Sequence, residues 1–345
     1  MKIFITGKGI NAATGNGTQE LALPNSTHTW LEAQKPDFNK YFDAKDARRT
    51  SHILKISSVA AFDALGDDKE NIDGIMVGTG IGCITDSEKF LISLVEFNES
   101  TLSPTPFIQS THNTIAGNIA LKLKIHQYNF TYSERIFSFE WTLLDAILQC
   151  HENDGNKRFL VGSADELNEK TFEIAKALNL AIDYNAENAE ILNNKHKAPY
   201  LGEHAAFFTL SNNSNTQHFG ELVFVKTYFQ QNNNQKLNDI VSLLKQSNVQ
   251  QPDCIILGIN GHKVYDKIYD NFTAHFNKSQ LAYYKHLCGE SFTSSSYAFW
   301  LATEILEKAE LPKVATIKSN ENPIKNVLIL NHFRRDYFSA IFIKK

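Results

Sequence analysis

The chain has 345 residues, 42% of them hydrophobic, and a formal net charge of −4. This length implies about two units of roughly 150 residues, or one large duplicated fold with room for a substantial core. The balance of charge gives no basic stripe, which argues against nucleic acid as the main partner, and no apolar run nears the roughly 20 residues that span a bilayer.

In chain order, the opening MKIFITGKG breaks at Gly7, too soon for the apolar region of a secretory leader, so a cytoplasmic protein is expected. KIFIT reads as a strand, HILKISSVAAFDAL as a helix and IDGIMVGTG as a strand closing in a tight glycine turn. A helix starting near Phe139 leads to the strands RFLVGSADE and HAAFFTLS. The order then recurs. ELVFVKTYF, a helix around LNDIVSLLKQ and PDCIILGIN are followed by helices near VYDKIYDNF and SYAFWLATEILEK, then the strands NVLILNHF and YFSAIFIKK. IDGIMVGTG matches PDCIILGIN in polarity and placement, and HAAFFTLS matches YFSAIFIKK.

Continuous apolar strands separated by helices predict βαβ units with parallel pairing and both sheet faces covered. The pattern is that of a pseudo-duplicated, layered α/β fold. Its first half is expected over 1–215 and a shortened second half over 216–345, divided in the polar stretch NNSNTQH.

Two motifs invite cofactor readings. KIFITGKGINA offers G-x-G-x-x-A after a strand, but AATGNG continues as a flexible loop and no acidic residue ends a second strand near Thr29 to Phe38, so a dinucleotide site is not expected. GTGIG at Gly78–Gly82 lacks the Lys-Ser/Thr ending of a phosphate-binding loop. The four cysteines, at 83, 150, 254 and 288, have neither metal-ligand nor disulfide spacing and read as small core residues. No cofactor and no metal is expected. QQNNNQ at Gln230–Gln235 reads as a solvated loop.

The opening ITG, the GTGIG turn, PFIQSTHNTIAGNIALKL, LVGSADE, GEHAAFF and KHLCGESFTSSSYAFW together resemble the β-ketoacyl-acyl-carrier-protein synthases. The similarity runs in order along nearly the whole chain and thins between Ala186 and Ala198 and around Gln231 to Leu237. It implies the duplicated thiolase-like fold, with layers α-β-α-β-α. It also implies a cysteine nucleophile at a strand-to-helix elbow, activated by the helix N-terminus, two histidines that assist decarboxylation, a lysine supporting the second histidine, and a glycine-rich closing loop.

Three of these sites depart from that pattern, the nucleophile, the second histidine and the closing loop, while the lysine is retained. The elbow falls in SERIFSFEWTLLDAILQC, and aligning Ser138 and Ala146 puts Ile136, which has no reactive heteroatom, at the nucleophile position. The first histidine falls on His262, followed by Lys263, Val264 and Tyr265 instead of the family's Gly-Thr-Ser-Thr. The lysine falls on Lys285, and the second histidine position holds Glu290, which when ionised accepts hydrogen bonds and repels an enolate. The closing loop reads NHFRRDYFS. Cys288, Ser133 and Ser138 are the residues from which a rebuilt site would draw a nucleophile.

A lost site on a retained fold resembles the chain-length factors, cysteine-less subunits paired with an active synthase, and in particular those of aryl-polyene and flexirubin-type pathways. The resemblance implies partnership with an active ketosynthase or with a second copy of the chain, and with an acyl carrier protein. Ile136, Phe137 and Phe139 are expected to fill the redundant pocket. Phe107, Thr111, His112 and Asn113, with Phe137 and Phe139, are candidates for the tunnel wall and subunit interface. Arg135 and Glu290 are expected to pair near the former active centre, since either charge alone would be costly there. Alternatives are a divergent synthase or malonyl decarboxylase with a rebuilt site, and a homodimeric acyl-binding scaffold.

Overall fold

The computed structural model describes the whole chain except residues 27, 153–154, 186–190 and 193–195. Most of these lie in the Ala186–Ala198 segment where the resemblance thins, so that part of the comparison falls outside the described residues.

The elements of the first half are β1 (Ile3–Ala12), α1 (Ala44–Arg49), α2 (His52–Leu65), β2 (Gly74–Gly78), α3 (Ile84–Glu96), α4 (Pro104–Gln109) and α5 (Thr114–Leu123). They continue with β3 (Tyr128–Tyr132), α6 (Ser138–Glu152), β4 (Arg158–Asp165), α7 (Glu169–Ala177) and β5 (His204–Ser211). The second half holds β6 (Gly220–Phe229), α8 (Asn233–Gln246), β7 (Cys254–Leu257), α9 (Asp270–His275), β8 (Gln280–Tyr283) and α10 (Lys285–Cys288). It closes with α11 (Ser295–Lys308), β9 (Thr316–Lys318), β10 (Asn326–Phe333) and β11 (Tyr337–Lys344).

The eleven strands are ordered β3-β2-β4-β5-β1-β6-β11-β10-β7-β8-β9. Outward from the seam the first half reads β1, β5, β4, β2, β3 and the second β6, β11, β10, β7, β8, the same succession of chain positions with β9 added at the edge. Pairing repeats as well. β4–β2 and β2–β3 are parallel, as are β10–β7 and β7–β8, while β1–β5, β4–β5, β6–β11 and β10–β11 are antiparallel. The expectation of parallel pairing therefore holds only for the outer strands of each half. β5 is buried along its whole length and β11 along all but its end residues, so both are mostly apolar, which the sequence does not distinguish from parallel pairing.

Alternate strand residues separate the layers. Phe159 and Val161 of β4 and Cys254 and Ile256 of β7 share one core with Phe139 and Leu143 of α6 and with Phe299 and Leu301 of α11, so these two helices lie between the halves. Leu160 of β4 faces α2 and α5, and Ile255 and Leu257 of β7 face α8 and α9. The result is the layered α-β-α-β-α arrangement of the thiolase-like class. β1 runs past the predicted KIFIT to Ala12, and its glycines serve packing: a Cβ on Gly7 would lie 1.9 Å from the Ala64 carbonyl oxygen.

Candidate functional site

The elbow is a short 3-10 turn over Arg135–Phe137 that runs directly into α6. Ile136 and Phe137 are buried in it, the Phe137 ring 5.6 Å from that of Tyr337. Arg135 carries the backbone strain, with φ +58°, and is exposed. It lines a cavity of about 660 Å³, together with Ile81 after β2, Asp165 and Glu166 at the end of β4, Asn260 and His262 after β7, Glu290 to Phe292 after α10, and Phe333 and Arg334 at the end of β10. The cavity thus stands where the outer strands of both halves end and the connections to their helices begin. Ile136, the residue aligned with the nucleophile, is not on its wall.

Beneath the cavity, Glu290 is held by three donors. Lys285 Nζ and Asn260 Nδ2 each lie 2.8 Å from Oε2, and Ser294 Oγ donates to Oε1 at 3.3 Å. The Lys285 and Glu290 side chains are both almost completely buried, and Lys285 Nζ also donates to the His332 carbonyl. The expected Arg135–Glu290 pair does not form. Lys285, brought within one turn of Glu290 by α10, satisfies the carboxylate and leaves Arg135 at the cavity mouth.

Asn260 links two of the aligned positions. Its Nδ2 holds Glu290 and its Oδ1 accepts from the His262 backbone N–H at 3.1 Å. The loop is pinned by Asp266, which accepts from the N–H groups of Asn260 and Gly261 and pairs with His332 Nε2 at 2.9 Å. His262 Nδ1 accepts from the N–H groups of Val264 and Tyr265, which puts the neutral ring's proton on Nε2, and burial lowers the pKa of the ring. A histidine held neutral with an Nε2–H can donate a hydrogen bond.

On the opposite wall, Asp165 accepts from Gly80 N–H (2.7 Å), Ile81 N–H (3.2 Å), Thr79 Oγ1 (3.1 Å) and Thr293 Oγ1 (2.9 Å), tying β4 to the GTGIG turn and to the segment before α11. Glu166 beside it accepts from Thr85 N–H, and burial pushes its carboxyl up to about 7.

No cysteine lines this cavity among the described residues, and none of the nucleophiles considered for a rebuilt site, Cys288, Ser133 and Ser138, is on its wall. Cys288 is fully buried in the central core, its Sγ directed at backbone carbonyls, and burial pushes its thiol well above the ordinary range, opposite to the activation a nucleophilic cysteine needs. Ser138 donates to the Thr79 carbonyl inside the core, and Ser133 is on the surface off the cavity wall. No group of His, Cys, Asp and Glu among the described residues could hold a metal ion.

The structure places two of the expected tunnel or interface residues elsewhere. Phe139 is fully buried against Phe208 and Phe299 at 5.9 and 5.7 Å, and Phe137 is buried at the elbow, so neither reaches a surface that a partner could touch. The two phenylalanines fill the chain's own interior because α6 lies between the halves. Phe107, Thr111, His112 and Asn113 are exposed on and after α4, the His112 ring lying against Gly82. NHFRRDYFS forms a β-hairpin, Phe333 pairing with Tyr337, with Arg334 at φ +53° in the turn. Sequence reasoning missed Asn260, Asp165, Glu166 and Arg334. The first three could have been found as polar residues ending otherwise apolar strand segments, PDCIILGIN and RFLVGSADE.

No protein-family model matches the chain, and no curated protein does. Solved structures are similar over its full length. A β-ketoacyl synthase from Burkholderia phymatum STM815 superposes with a TM-score of 0.80 at 13% identity, covering 100% of this chain and 99% of its own. The ishigamide ketosynthase/chain length factor gives 0.80 at 14% identity with the same coverage. A type II PKS acyl-carrier protein in complex with its ketosynthase bound to the hexaketide gives 0.75 at 14% identity, covering 99% of each chain. At these identities the likeness establishes the fold.

Proposed function

We propose that the chain is a β-ketoacyl-synthase-like subunit without catalytic chemistry of its own, which pairs with an active ketosynthase in the manner of a chain-length factor and works on chains carried by an acyl carrier protein. The observation that carries this reading is the elbow. It presents Arg135 to the cavity and buries Ile136, while Cys288 is sealed in the core, so the mount stands without a nucleophile. A similar fold in a ketosynthase/chain length factor and in a carrier-protein complex supports the choice of partners.

The surface supports pairing. β3 is an edge strand whose Tyr128, Phe130 and Tyr132 rings form a ladder, with Phe130 46% exposed. Val95, Phe107, Ile108 and Leu121 stand exposed on the neighbouring helices. An open sheet edge beside exposed apolar side chains is a surface that soluble chains cover with a partner. Within this reading Phe107, Thr111, His112 and Asn113 lie at the subunit interface, and the product is of the conjugated kind made in aryl-polyene and flexirubin-type pathways, an assignment that rests on the likeness of the elbow segment.

Co-expression with a synthase-like homologue that has its cysteine, followed by product analysis with carrier protein and malonyl donor, tests the proposal. The expected result is a one-to-one complex whose elongation survives Cys288→Ala in this chain and is lost with the partner's cysteine. Condensation or decarboxylation of malonyl groups by this chain alone would overturn it.

A further inference from the structure

Arg135 and Arg334 come from different halves of the chain and line the same cavity, and both hold left-handed backbone at φ +58° and +53°. That conformation is costly for side chains other than glycine, and here it turns both arginines toward one cavity. Lys197 lines the cavity with them. None of the three cations forms an ion pair among the described residues; the Arg334 guanidinium lies 5.4 Å from the Phe333 ring, over its face. The cavity acids do not neutralise them. Glu290 is bound to Lys285, Asp165 is surrounded by four donors, and Glu166 faces a backbone N–H.

The wall also carries polar Thr171, Asn179, Asn260, His262 and Ser291, and part of it is apolar. Ile81, Phe292 and Phe333 line the apolar part, and α7 and the residue that follows it contribute Ile174 and Leu178, 60% and 62% exposed because the chain's own fold leaves them uncovered. A cavity of about 660 Å³ is within the range of small-ligand sites, roughly 300–1,000 Å³. It has unpaired guanidinium groups at its mouth and apolar side chains along its wall.

We infer that this cavity reversibly binds an oxyanion-headed aliphatic molecule, its carboxylate or phosphate clamped by Arg135 and Arg334 and its chain laid along Ile174, Leu178 and Phe292. The inference deepens the partner-subunit reading, on which it rests for the origin of the cavity, by giving the emptied site a non-covalent occupant. Guanidinium groups take a planar oxyanion bidentately, and nothing in the binding step requires a nucleophile.

Calorimetric titration of the purified chain with dodecanoate, dodecyl phosphate and 1-dodecanol tests this. Either anion is expected to bind at least about tenfold more tightly than the alcohol, and the stronger of the two identifies the head group. Binding should weaken with added salt. Arg135→Ala and Arg334→Ala should each cost about tenfold, Arg→Lys less, with thermal unfolding unchanged because both side chains are exposed. Leu178→Asp should abolish binding through the apolar wall and leaves both arginines in place. Equal binding of alcohol and anions, binding by none of them, or retention of affinity in the Arg135→Ala/Arg334→Ala double variant would each overturn the inference. The titration needs no partner, so failure of pairing and failure of binding are read separately.

Discussion

Glu290 and Lys285 form an almost completely buried ion pair at the cavity. A carboxylate at this depth is tolerable only with its counter-ion and hydrogen bonds in place, and Lys285, Asn260 and Ser294 supply them. Lys285→Met leaves the charge buried and uncompensated and should cost about 3–5 kcal/mol in urea unfolding. Lys285→Met with Glu290→Leu should cost less than the single change, since no buried charge remains, although Asn260 Nδ2 and the His332 carbonyl lose partners at roughly 1–3 kcal/mol each. A double variant as unstable as the single one would show that the ion pair is not the source of the loss. Both residues were legible in the sequence, Lys285 as the retained lysine and Glu290 as an altered position. Their mutual pairing was obscured because the reading gave Glu290 to Arg135, and only the short helix α10 brings the closer cation round.

The elements that were hardest to read are the edge strands. β2, β4, β7 and β10 announce themselves as apolar runs because helices cover both their faces. β3 (YNFTY) and β9 (TIK) lie at the two ends of the sheet, carry exposed or half-buried residues and resemble loop sequence, and QLAY of β8 is only four residues long. The exposed face of β3 is nonetheless where the proposed pairing would act. Phe130→Lys combined with Phe107→Asp changes two exposed side chains and, through the lost ring contacts with Tyr132 and Phe90, should lower the unfolding free energy by only about 1–3 kcal/mol, leaving the chain folded. The same variant should fail to co-elute with the partner synthase in size-exclusion chromatography. Undiminished co-elution would place the interface elsewhere.

For the whole molecule, buried histidines couple stability to acid. Burial lowers His204 to about 4 and His286 to about 4, from 6.5. Each stays neutral in the fold while the unfolded chain takes up a proton, so the stability they contribute is complete above 6.5 and is lost as pH falls from 6.5 toward 4. Glu166 acts in the opposite sense. Its pKa, raised from 4.5 to about 7, makes stability fall as pH rises from 4.5 to 7. The net slope of the parent therefore mixes opposing protons, and the difference between parent and variant isolates one of them. His286→Gln, measured by urea unfolding from pH 7 to pH 5, should remove a dependence approaching about 1.4 kcal/mol per pH unit below 6.5. His286 stacks on Tyr283 and meets the Val314 carbonyl at Nε2, so glutamine will lower stability at pH 7 as well; only the slope decides the test. Parallel profiles would mean that His286 titrates alike folded and unfolded.

The sequence by itself determined the duplication, because covered strands must be apolar throughout and the two halves repeat the same order of strand and helix. It also determined that the elbow lacks a thiol, since no folding can add a heteroatom to Ile136. The tertiary structure decided which side chains face the cavity and how its charges are paired. A 3-10 turn with one left-handed residue turned Arg135 into the cavity and Ile136 away from it; a four-residue helix gave Glu290 its lysine, and the position of α6 between the halves committed Phe139 to the interior. Each of these depends on which way a side chain points after the backbone turns, and that direction is set by packing between segments far apart in the chain.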